Sequence, residues 1–240
     1  MLLYYIRHGD PIYSPDSLTP LGERQAEALA KRLALYGLDE IYSSTSNRAI
    51  MTAKPASDIL GKEIQLLDFA NEDHAWRHFT VEKEEKPDEK TWVFYSNKAV
   101  NLFNTKEIKD LGFNWFDYPE FQKYNFKAGL SKVYDELDDF IRTLGYEHDR
   151  YSGKYKVIKS NDKRVALFAH QGFFFVFLSV LLDMPYPMVC THFDMTHSGM
   201  TVIDFPEYDG YAVPKILTLS SDSHIYREGL PTFYNRYVHF

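Results

Sequence analysis

Two histidines and two arginines stand at or just after the ends of three segments that predict buried strands: Arg7, His8, Arg48 and His170. Because the carboxyl ends of parallel strands meet at one edge of a sheet, beside helix N-termini that expose N–H groups, we expect these side chains to lie close together. A guanidinium offers a planar fork to two oxygens, and an imidazole can donate a proton or attack. The four residues therefore predict a site for a tetrahedral dianion such as phosphate.

The surrounding pattern predicts alternating strands and helices. Short apolar strands are expected at 2–6, 40–43, 64–67 and 165–169, with paired strands at 155–158 and 165–169 and late strands at 200–205 and 213–220. Helices are expected from Pro20 to Gly37, with Thr19 as the cap, and at 47–60, 130–144 and 172–182. Strands that alternate with helices predict a layered α/β fold with a mostly parallel sheet.

Four motifs resemble the histidine phosphatase superfamily, whose fold is that of the phosphoglycerate mutases. They are Ile6-Arg7-His8-Gly9, Leu18-Thr19-Pro20-Leu21-Gly22 with Gln25-Ala26, Tyr42-Ser43-Ser44 with Arg48-Ala49 and Thr52-Ala53, and Ala169-His170-Gln171-Gly172. The motifs cover residues 2–72 and 164–183, and none matches 77–150. The resemblance implies a three-layer α/β/α fold and a phosphatase in which His8 is the nucleophile and forms a phosphohistidine.

Physical reasoning supports the same roles. Phosphoryl transfer depends mostly on positioning and on charge stabilisation, which Arg7 and Arg48 would supply. We expect His170 to be protonated and to donate to the phosphoryl group. A backbone carbonyl that accepts from one ring nitrogen of His8 would leave the other nitrogen free to attack. Gly9 is expected to let the backbone approach the phosphate closely.

A phosphatase also needs an acid for the leaving alkoxide. The family commonly has a glutamate after the third strand, and the resemblance favours Glu72 there because it lies just before Trp76. Asp68 and Asp73 are the alternative proton donors.

Two departures from the family pattern affect the site. The loop at 10–17 is short, so Ser14 or Tyr13 is expected to stand in as a phosphate donor, beside Gln171 at the third strand end. The chain from Glu72 to His170 is long and rich in aromatic residues. We expect a single domain over 1–240 with a largely helical cap at about 77–129, and Trp76 or Tyr95 could line the substrate pocket.

The composition excludes several classes of protein. A net charge of -7 argues against a broad basic surface for nucleic acid, and Cys190, the one cysteine, excludes an intrachain disulfide. No apolar run is long enough for a membrane span, and no signal peptide is evident, so we predict a cytoplasmic protein. His74 and His78 offer only two metal ligands, so no metal or other cofactor is predicted.

Three functions stay open at this point. The first is hydrolysis of phosphomonoesters through a phosphohistidine, the second a phosphoglycerate-type mutase, and the third a non-catalytic module that binds a phosphorylated ligand. The expected partner is a small phosphorylated substrate or phosphate, with neither nucleic acid nor a membrane. The sequence leaves the substrate and the oligomeric state open.

Overall fold

The computed structural model describes residues 1–236 and 238. The strands are β1 (Leu2–Arg7), β2 (Pro11–Tyr13), β3 (Asp16–Leu18), β4 (Glu40–Ser44), β5 (Ile64–Leu67), β6 (Thr80–Glu82), β7 (Lys90–Trp92), β8 (Tyr146–Asp149), β9 (Lys154–Val157), β10 (Arg164–Ala169), β11 (Met200–Asp204), β12 (Glu207–Tyr208), β13 (Tyr211–Ala212) and β14 (Lys215–Ser221). The α-helices are α1 (Pro20–Ala34), α2 (Asn47–Leu60), α3 (Glu72–His78), α4 (Asn97–Phe103), α5 (Lys106–Leu111), α6 (Phe126–Thr143), α7 (Gln171–Leu181), α8 (Tyr186–His192) and α9 (Ser223–Arg227). Short 3-10 helices occupy Asp68–Ala70, Val93–Tyr95 and Gly112–Asp117.

A six-stranded sheet forms the centre, in the order β14-β11-β1-β10-β4-β5. Strands β1, β10, β4 and β5 pair in parallel, and β11 pairs antiparallel to β1. The chain therefore delivers four strand carboxyl ends to one edge of the sheet.

Helices cover both faces of this sheet. Leu3 and Tyr5 of β1 belong to a cluster with α6 and α7, whereas Tyr4 and Ile6 belong to a cluster with α1 and α2. The alternation follows from the two-residue period of a strand whose two faces are both buried. The predicted three-layer fold with a mostly parallel sheet is confirmed.

The first two helices begin and end for the expected reasons. The Thr19 hydroxyl accepts a hydrogen bond from the Gly22 N–H, and Pro20 occupies the first turn of α1. Gly61 ends α2 in the left-handed conformation, with φ of 63°. Both predicted helices are present, and α2 tolerates Pro55 within it.

The prediction that 155–158 pairs with 165–169 is wrong. Strand β9 pairs with β8 and β13 in a separate four-stranded sheet, whereas β10 lies between β1 and β4. The physical reason is burial: Val165–Ala169 is apolar and buried throughout, which suits a central strand, whereas β9 is partly exposed.

The aromatic segment at 77–129 contains a hairpin as well as helices. The charged stretch 80–90 forms the ends of β6 and β7 around a turn, with Thr80 and Val81 buried. Further along, Phe94 contacts Phe175 of α7 and Trp115 stacks on Tyr186 of α8, with ring centroids 4.7 and 5.6 Å apart. The segment's aromatic residues thus share a core with these helices.

Within the described residues, no helix combines the length and the apolar character that crossing a membrane requires.

Candidate active site

The predicted phosphate site lies where the parallel strands end. His8 follows β1, Ser44 ends β4, His170 lies between β10 and α7, and Glu72 begins α3 after β5. These ends border a cavity of about 370 Å³, lined by Arg7, His8, Tyr13, Arg48, Glu72, Asp73, Trp76, Trp92 and Asn235. The ring centroids of His8 and His170 are 5.2 Å apart. The four residues that define the sequence prediction therefore lie together.

His8 is held so that one ring nitrogen is free. Its Nδ1 lies 2.7 Å from the Gly9 carbonyl oxygen, and since a carbonyl can only accept, Nδ1 carries the proton. Backbone bonds to Ala169 (3.0 Å) and Ser198 (2.9 Å) fix the position of this residue. The Nε2 atom is thus the unprotonated nitrogen that an attack on phosphorus needs.

Both histidines are buried beside cations, which lowers their pKa values. Burial, and then the charges of His170, Arg7 and Arg48, holds the pKa of His8 well below its ordinary value. Burial, Arg48 and Arg7 lower the pKa of His170 well below its ordinary value. In the ligand-free site His170 is therefore neutral, contrary to the sequence prediction that it is protonated. A bound dianion would add the negative charge that favours its protonation.

His170 points a donor toward Glu72. The Ser44 hydroxyl accepts from the Ser46 N–H and lies 2.8 Å from His170 Nε2, so it can donate to that nitrogen. The Glu72 carboxylate, whose Oε2 lies 3.6 Å from Nδ1, favours the ring proton on that nitrogen, which has no hydrogen-bond partner in the described part of the chain.

Arg7 is almost fully buried and lines the cavity. Its Nη1 donates to the Met195 carbonyl oxygen (2.5 Å) and its Nη2 to the Asn235 side chain. The Nε–H has no partner among residues 1–236 and 238. Burial lowers the pKa of Arg7, although the guanidinium stays cationic.

Arg48 lies across the cavity, near the start of α2. Its Nη1 donates to Asp16 Oδ1 (2.8 Å) and its Nη2 to Glu72 Oε2 (3.2 Å). Although burial lowers the pKa of Arg48, the bond to Asp16 and the charge of Glu72 raise it above its ordinary value. Its Nε–H, like that of Arg7, is buried without a partner in the described residues. We call Arg7 Nε, Arg48 Nε and His170 Nδ1 the open donors.

Glu72 is the carboxylate that faces both Arg48 and His170. Its Oε1 accepts from the backbone N–H of Gly172 (2.9 Å) at the start of α7, and its Oε2 faces Arg48 and His170. Asp73 lines the outer part of the cavity. Asp68 pairs with His74 at 3.0 Å, is largely exposed and lies outside the cavity lining.

Gln171 and Ser14, predicted to bind phosphate, lie elsewhere. The Gln171 Oε1 accepts from Asn235 Nδ2 (2.8 Å) and from the Tyr95 hydroxyl (3.0 Å), and its Nε2 donates to Asp194. Gln171 thus holds Asn235, the partner of Arg7, rather than lining the cavity. Ser14 is exposed between β2 and β3, whereas its neighbour Tyr13 lines the cavity.

A side chain at Gly9 would collide with the backbone of α1, a constraint separate from the predicted approach to phosphate. A Cβ at Gly9 would lie 2.7 Å from the Gly22 carbonyl oxygen, and one at Gly22 would lie 2.2 Å from the Asp10 carbonyl oxygen. The two glycines let the chain after β1 contact the backbone of α1, which fixes the β2–β3 hairpin against that helix.

Sequence reasoning missed three residues of the site. Asn235 and Trp92 carry no local signal, since each reaches the cavity from a distant segment. The third, His197, stacks its ring on that of His8 with centroids 6.0 Å apart, and its Nε2 lies 3.1 Å from Asn235 Oδ1. Burial and Arg7 lower the pKa of His197 to about 3, so it is neutral. His224 is buried against the Ser198 hydroxyl.

The site could hold a metal ion only in competition with its own cations. Ligand atoms of His8, Glu72 and His170 lie within 4.8 Å of one another, a spacing that a metal could use. Two guanidiniums with open donors at the same place repel a cation and attract an anion. The donor set therefore favours a phosphate-like ligand.

Comparison with known proteins agrees with this geometry. The family model for the histidine phosphatase superfamily (branch 1) matches residues 3–110, a range that includes Arg7, His8, Arg48 and Glu72. Residues 3–110 are thus similar in sequence to the histidine phosphatase superfamily.

Solved structures with this fold align along nearly the whole chain. Phosphoserine phosphatase from Entamoeba histolytica, in complex with 3-phosphoglyceric acid, is 20% identical with a TM-score of 0.57, covering 93% of this chain and 98% of that one. A mycobacterial glucosyl-3-phosphoglycerate phosphatase is 15% identical with a TM-score of 0.56, covering 92% and 99%. Alpha-ribazole phosphatase from Shigella flexneri is 17% identical with a TM-score of 0.53, covering 92% and 97%. These structural alignments establish a shared fold.

One curated protein shares a local sequence match. "Putative phosphoserine phosphatase 2" from Hydrogenobacter thermophilus is 33% identical over 90 residues, which cover 32% of this chain and 44% of that protein. The chain thus aligns with less than half the length of this relative.

Proposed function

We propose that this protein hydrolyses phosphomonoesters through a phosphohistidine intermediate on His8. The observation that carries the proposal is the set of open donors, which belong to three residues around His8 and its free Nε2. A buried N–H without an acceptor is costly, and three of them on residues around one cavity favour a ligand that supplies the acceptors. Two of the three belong to guanidiniums, which match the oxygens of a phosphoryl dianion.

The residues support a two-step transfer. In the first step His8 Nε2 bonds to phosphorus, the bond from phosphorus to the alcohol oxygen breaks, and Glu72 gives its proton to the departing alkoxide. In the second step water attacks phosphorus, Glu72 takes a proton from that water, and the phosphorus–nitrogen bond breaks. The products are the alcohol, inorganic phosphate and the original His8.

The arrangement of Glu72 suits both steps. In the ligand-free site its carboxylate faces Arg48, His170 and the Gly172 N–H, which hold it beside His8. In the first step its carboxyl group would supply the proton that the departing alkoxide needs. Once the phosphoryl group is on His8, the deprotonated Glu72 can activate water.

The test combines turnover with detection of the intermediate. Wild-type protein is mixed with benzyl phosphate and quenched at alkaline pH, where phosphohistidine survives, and its intact mass is measured. We expect a mass gain of one phosphoryl group and release of inorganic phosphate. In His8→Ala the mass gain disappears and kcat/KM falls roughly 10⁴-fold or more. The exposed His192 provides the matched control, His192→Ala, which keeps both signals.

Other outcomes separate the alternative functions. Phosphorylation of His8 that passes to a second hydroxyl with little free phosphate identifies a mutase. Phosphate binding with neither turnover nor a mass gain identifies a binding module. Turnover that survives in His8→Ala overturns the proposed nucleophile.

A further inference from the structure

The outer part of the cavity has an aromatic wall. Trp76 of α3 and Trp92 of β7 pack edge to face, with ring centroids 4.9 Å apart and an interplanar angle of 87°, and both line the cavity. Trp76 is 38% exposed, a large fraction for an indole that could have been covered by the protein. We call Trp76 and Trp92 the tryptophan wall.

Trp92, one half of the tryptophan wall, is packed against the protein in the ligand-free structure. A Cβ added at Gly172 would lie 2.5 Å from Trp92 Cη2, so the indole lies directly against the first turn of α7. The other side of Trp92 stacks on Phe94, with centroids 5.3 Å apart. A preorganised apolar surface gains affinity because binding does not have to order it.

The charges around the cavity favour an uncharged leaving group. In the described part of the chain, the guanidiniums that line it are Arg7 and Arg48, and both belong to the phosphate site. The carboxylates of the lining are Glu72 and Asp73, and Asp73 is exposed. A carboxylate on the leaving group would meet Asp73 and Glu72 and find no cation of its own among these lining residues.

We propose that the substrate's leaving group is an uncharged alcohol with an apolar ring, which packs on the tryptophan wall, rather than a phosphorylated hydroxy acid. This inference rests on the proposed phosphatase activity. The phosphoryl group occupies the open donors, and the ring of the alcohol lies on Trp76 beside Asp73. Ring-on-ring contact and burial of apolar surface supply the preference.

The experiment compares four alkyl phosphates: benzyl phosphate, ethyl phosphate, O-phosphoserine and 3-phosphoglycerate. Since all four release an alkoxide, differences in leaving-group chemistry are small and kcat/KM reports mainly recognition. We expect kcat/KM for benzyl phosphate to exceed that for 3-phosphoglycerate and O-phosphoserine at least tenfold.

Two variants locate the preference. Trp76→Leu is expected to lower the benzyl-to-ethyl ratio of kcat/KM about tenfold, because it removes the exposed ring of the wall. Asp73→Asn is expected to raise the ratio of 3-phosphoglycerate to ethyl phosphate about threefold, because it removes a nearby like charge. Asp162→Asn, an exposed carboxylate just before β10 at the opposite edge of the sheet, is the control and leaves both ratios as in the wild type.

The outcomes distinguish this inference from the proposed activity. If 3-phosphoglycerate or O-phosphoserine is hydrolysed as well as benzyl phosphate, the inference is wrong and the phosphatase activity stands. A benzyl preference that survives unchanged in folded Trp76→Leu overturns the role of the wall. If none of the four is hydrolysed, the proposed activity fails, and the inference fails with it.

Discussion

Two clusters of imidazoles and charged side chains differ in how completely they are paired. In the His148 cluster, formed by His148, Asp138, Asp183 and Arg150, each ring nitrogen of His148 meets a carboxylate: Nδ1 lies 2.7 Å from Asp138 and Nε2 3.1 Å from Asp183. Arg150 adds a bond of 2.5 Å to Asp138. At the cavity, by contrast, the open donors have no acceptor in the described part of the chain. Complete pairing indicates a cluster that stabilises the fold, whereas open donors indicate a site that awaits a ligand.

The two clusters also shift histidine pKa values in opposite directions. Although burial alone would lower it, the bonds to Asp138 and Asp183 raise the pKa of His148 to about 9. Burial and neighbouring cations hold the pKa values of His8 and His170 well below the ordinary value. Burial lowers the pKa of all three histidines, and at His148 the two carboxylate partners outweigh it.

Removing Arg7 is the strongest test of this contrast. Arg7→Ala should lower kcat/KM about 10³-fold, because the transferring phosphoryl group loses a buried guanidinium. Phosphate should raise the melting temperature of the wild type by mass action and fail to raise that of Arg7→Ala. Arg142→Ala, an exposed helix arginine, is the control. Near-normal activity in Arg7→Ala would place Arg7 with the structural residues instead.

Glu72→Gln should lower kcat/KM for benzyl phosphate by roughly 10²–10³-fold, because the amide keeps the shape but cannot transfer a proton. The loss in the first step should be smaller with 4-nitrophenyl phosphate, whose leaving group needs no proton. Asp68→Asn, which changes the exposed carboxylate outside the cavity, serves as the control. A larger loss in Asp68→Asn or Asp73→Asn than in Glu72→Gln would reassign the proton donor.

His148→Leu, unlike the two variants above, should lose stability and keep its activity. It leaves Asp138 and Asp183 buried without their shared partner, which should lower the free energy of unfolding by about 3 kcal/mol. Activity per folded molecule should stay as in the wild type, since no residue of the His148 cluster lines the cavity. Urea unfolding and kcat/KM on the same samples measure both, with His192→Leu as the exposed control. A variant that unfolds normally but loses activity would contradict the structural assignment.

The last prediction concerns the free energy of unfolding, which should decline on both sides of about pH 6.5. Because the pKa of His148 is raised in the folded state, its contribution to stability is complete below about pH 6.5 and is lost as the pH rises toward about 9, by at most about 1.4 kcal/mol per pH unit. Because the pKa values of His8, His170 and His197 are lowered, the unfolded chain binds protons first as the pH falls below about 6.5, so stability declines there too.

Urea unfolding from pH 5 to 9 checks this prediction. In His148→Leu the decline between pH 6.5 and 9 should disappear while the acid decline remains. An alkaline decline of equal size in the variant would show that another group titrates.

The central fold and the position of the site were predictable because both depend on local patterns. A short apolar run indicates a buried strand, and a histidine or serine at or after its end is then a candidate site residue. Strands β1, β4 and β10 follow this pattern. Parallel pairing then brings these ends together without further information. Glu72 was chosen from the family resemblance instead, with Asp68 and Asp73 as alternatives, and it begins the helix that follows β5.

Properties that depend on distant parts of the chain were not predictable. Asn235 is 228 positions from Arg7, to which it is hydrogen-bonded. Trp92 belongs to the segment 77–150, which no family motif matches. The protonation of His170 depends on burial and on the guanidiniums around it, which the sequence pattern does not measure. The partner of β9 was missed because a polar turn after a strand is compatible with several pairings.

The contact between Trp92 and Gly172 has a consequence for shortening the protein. Excising the β6–β7 hairpin would do more than open the cavity. It would remove the Trp92 indole, which covers the first turn of α7, and would admit water beside the Glu72 carboxylate. Under the proposed mechanism, a trimmed chain would lose activity as well as substrate preference, so the hairpin would be needed for the reaction itself.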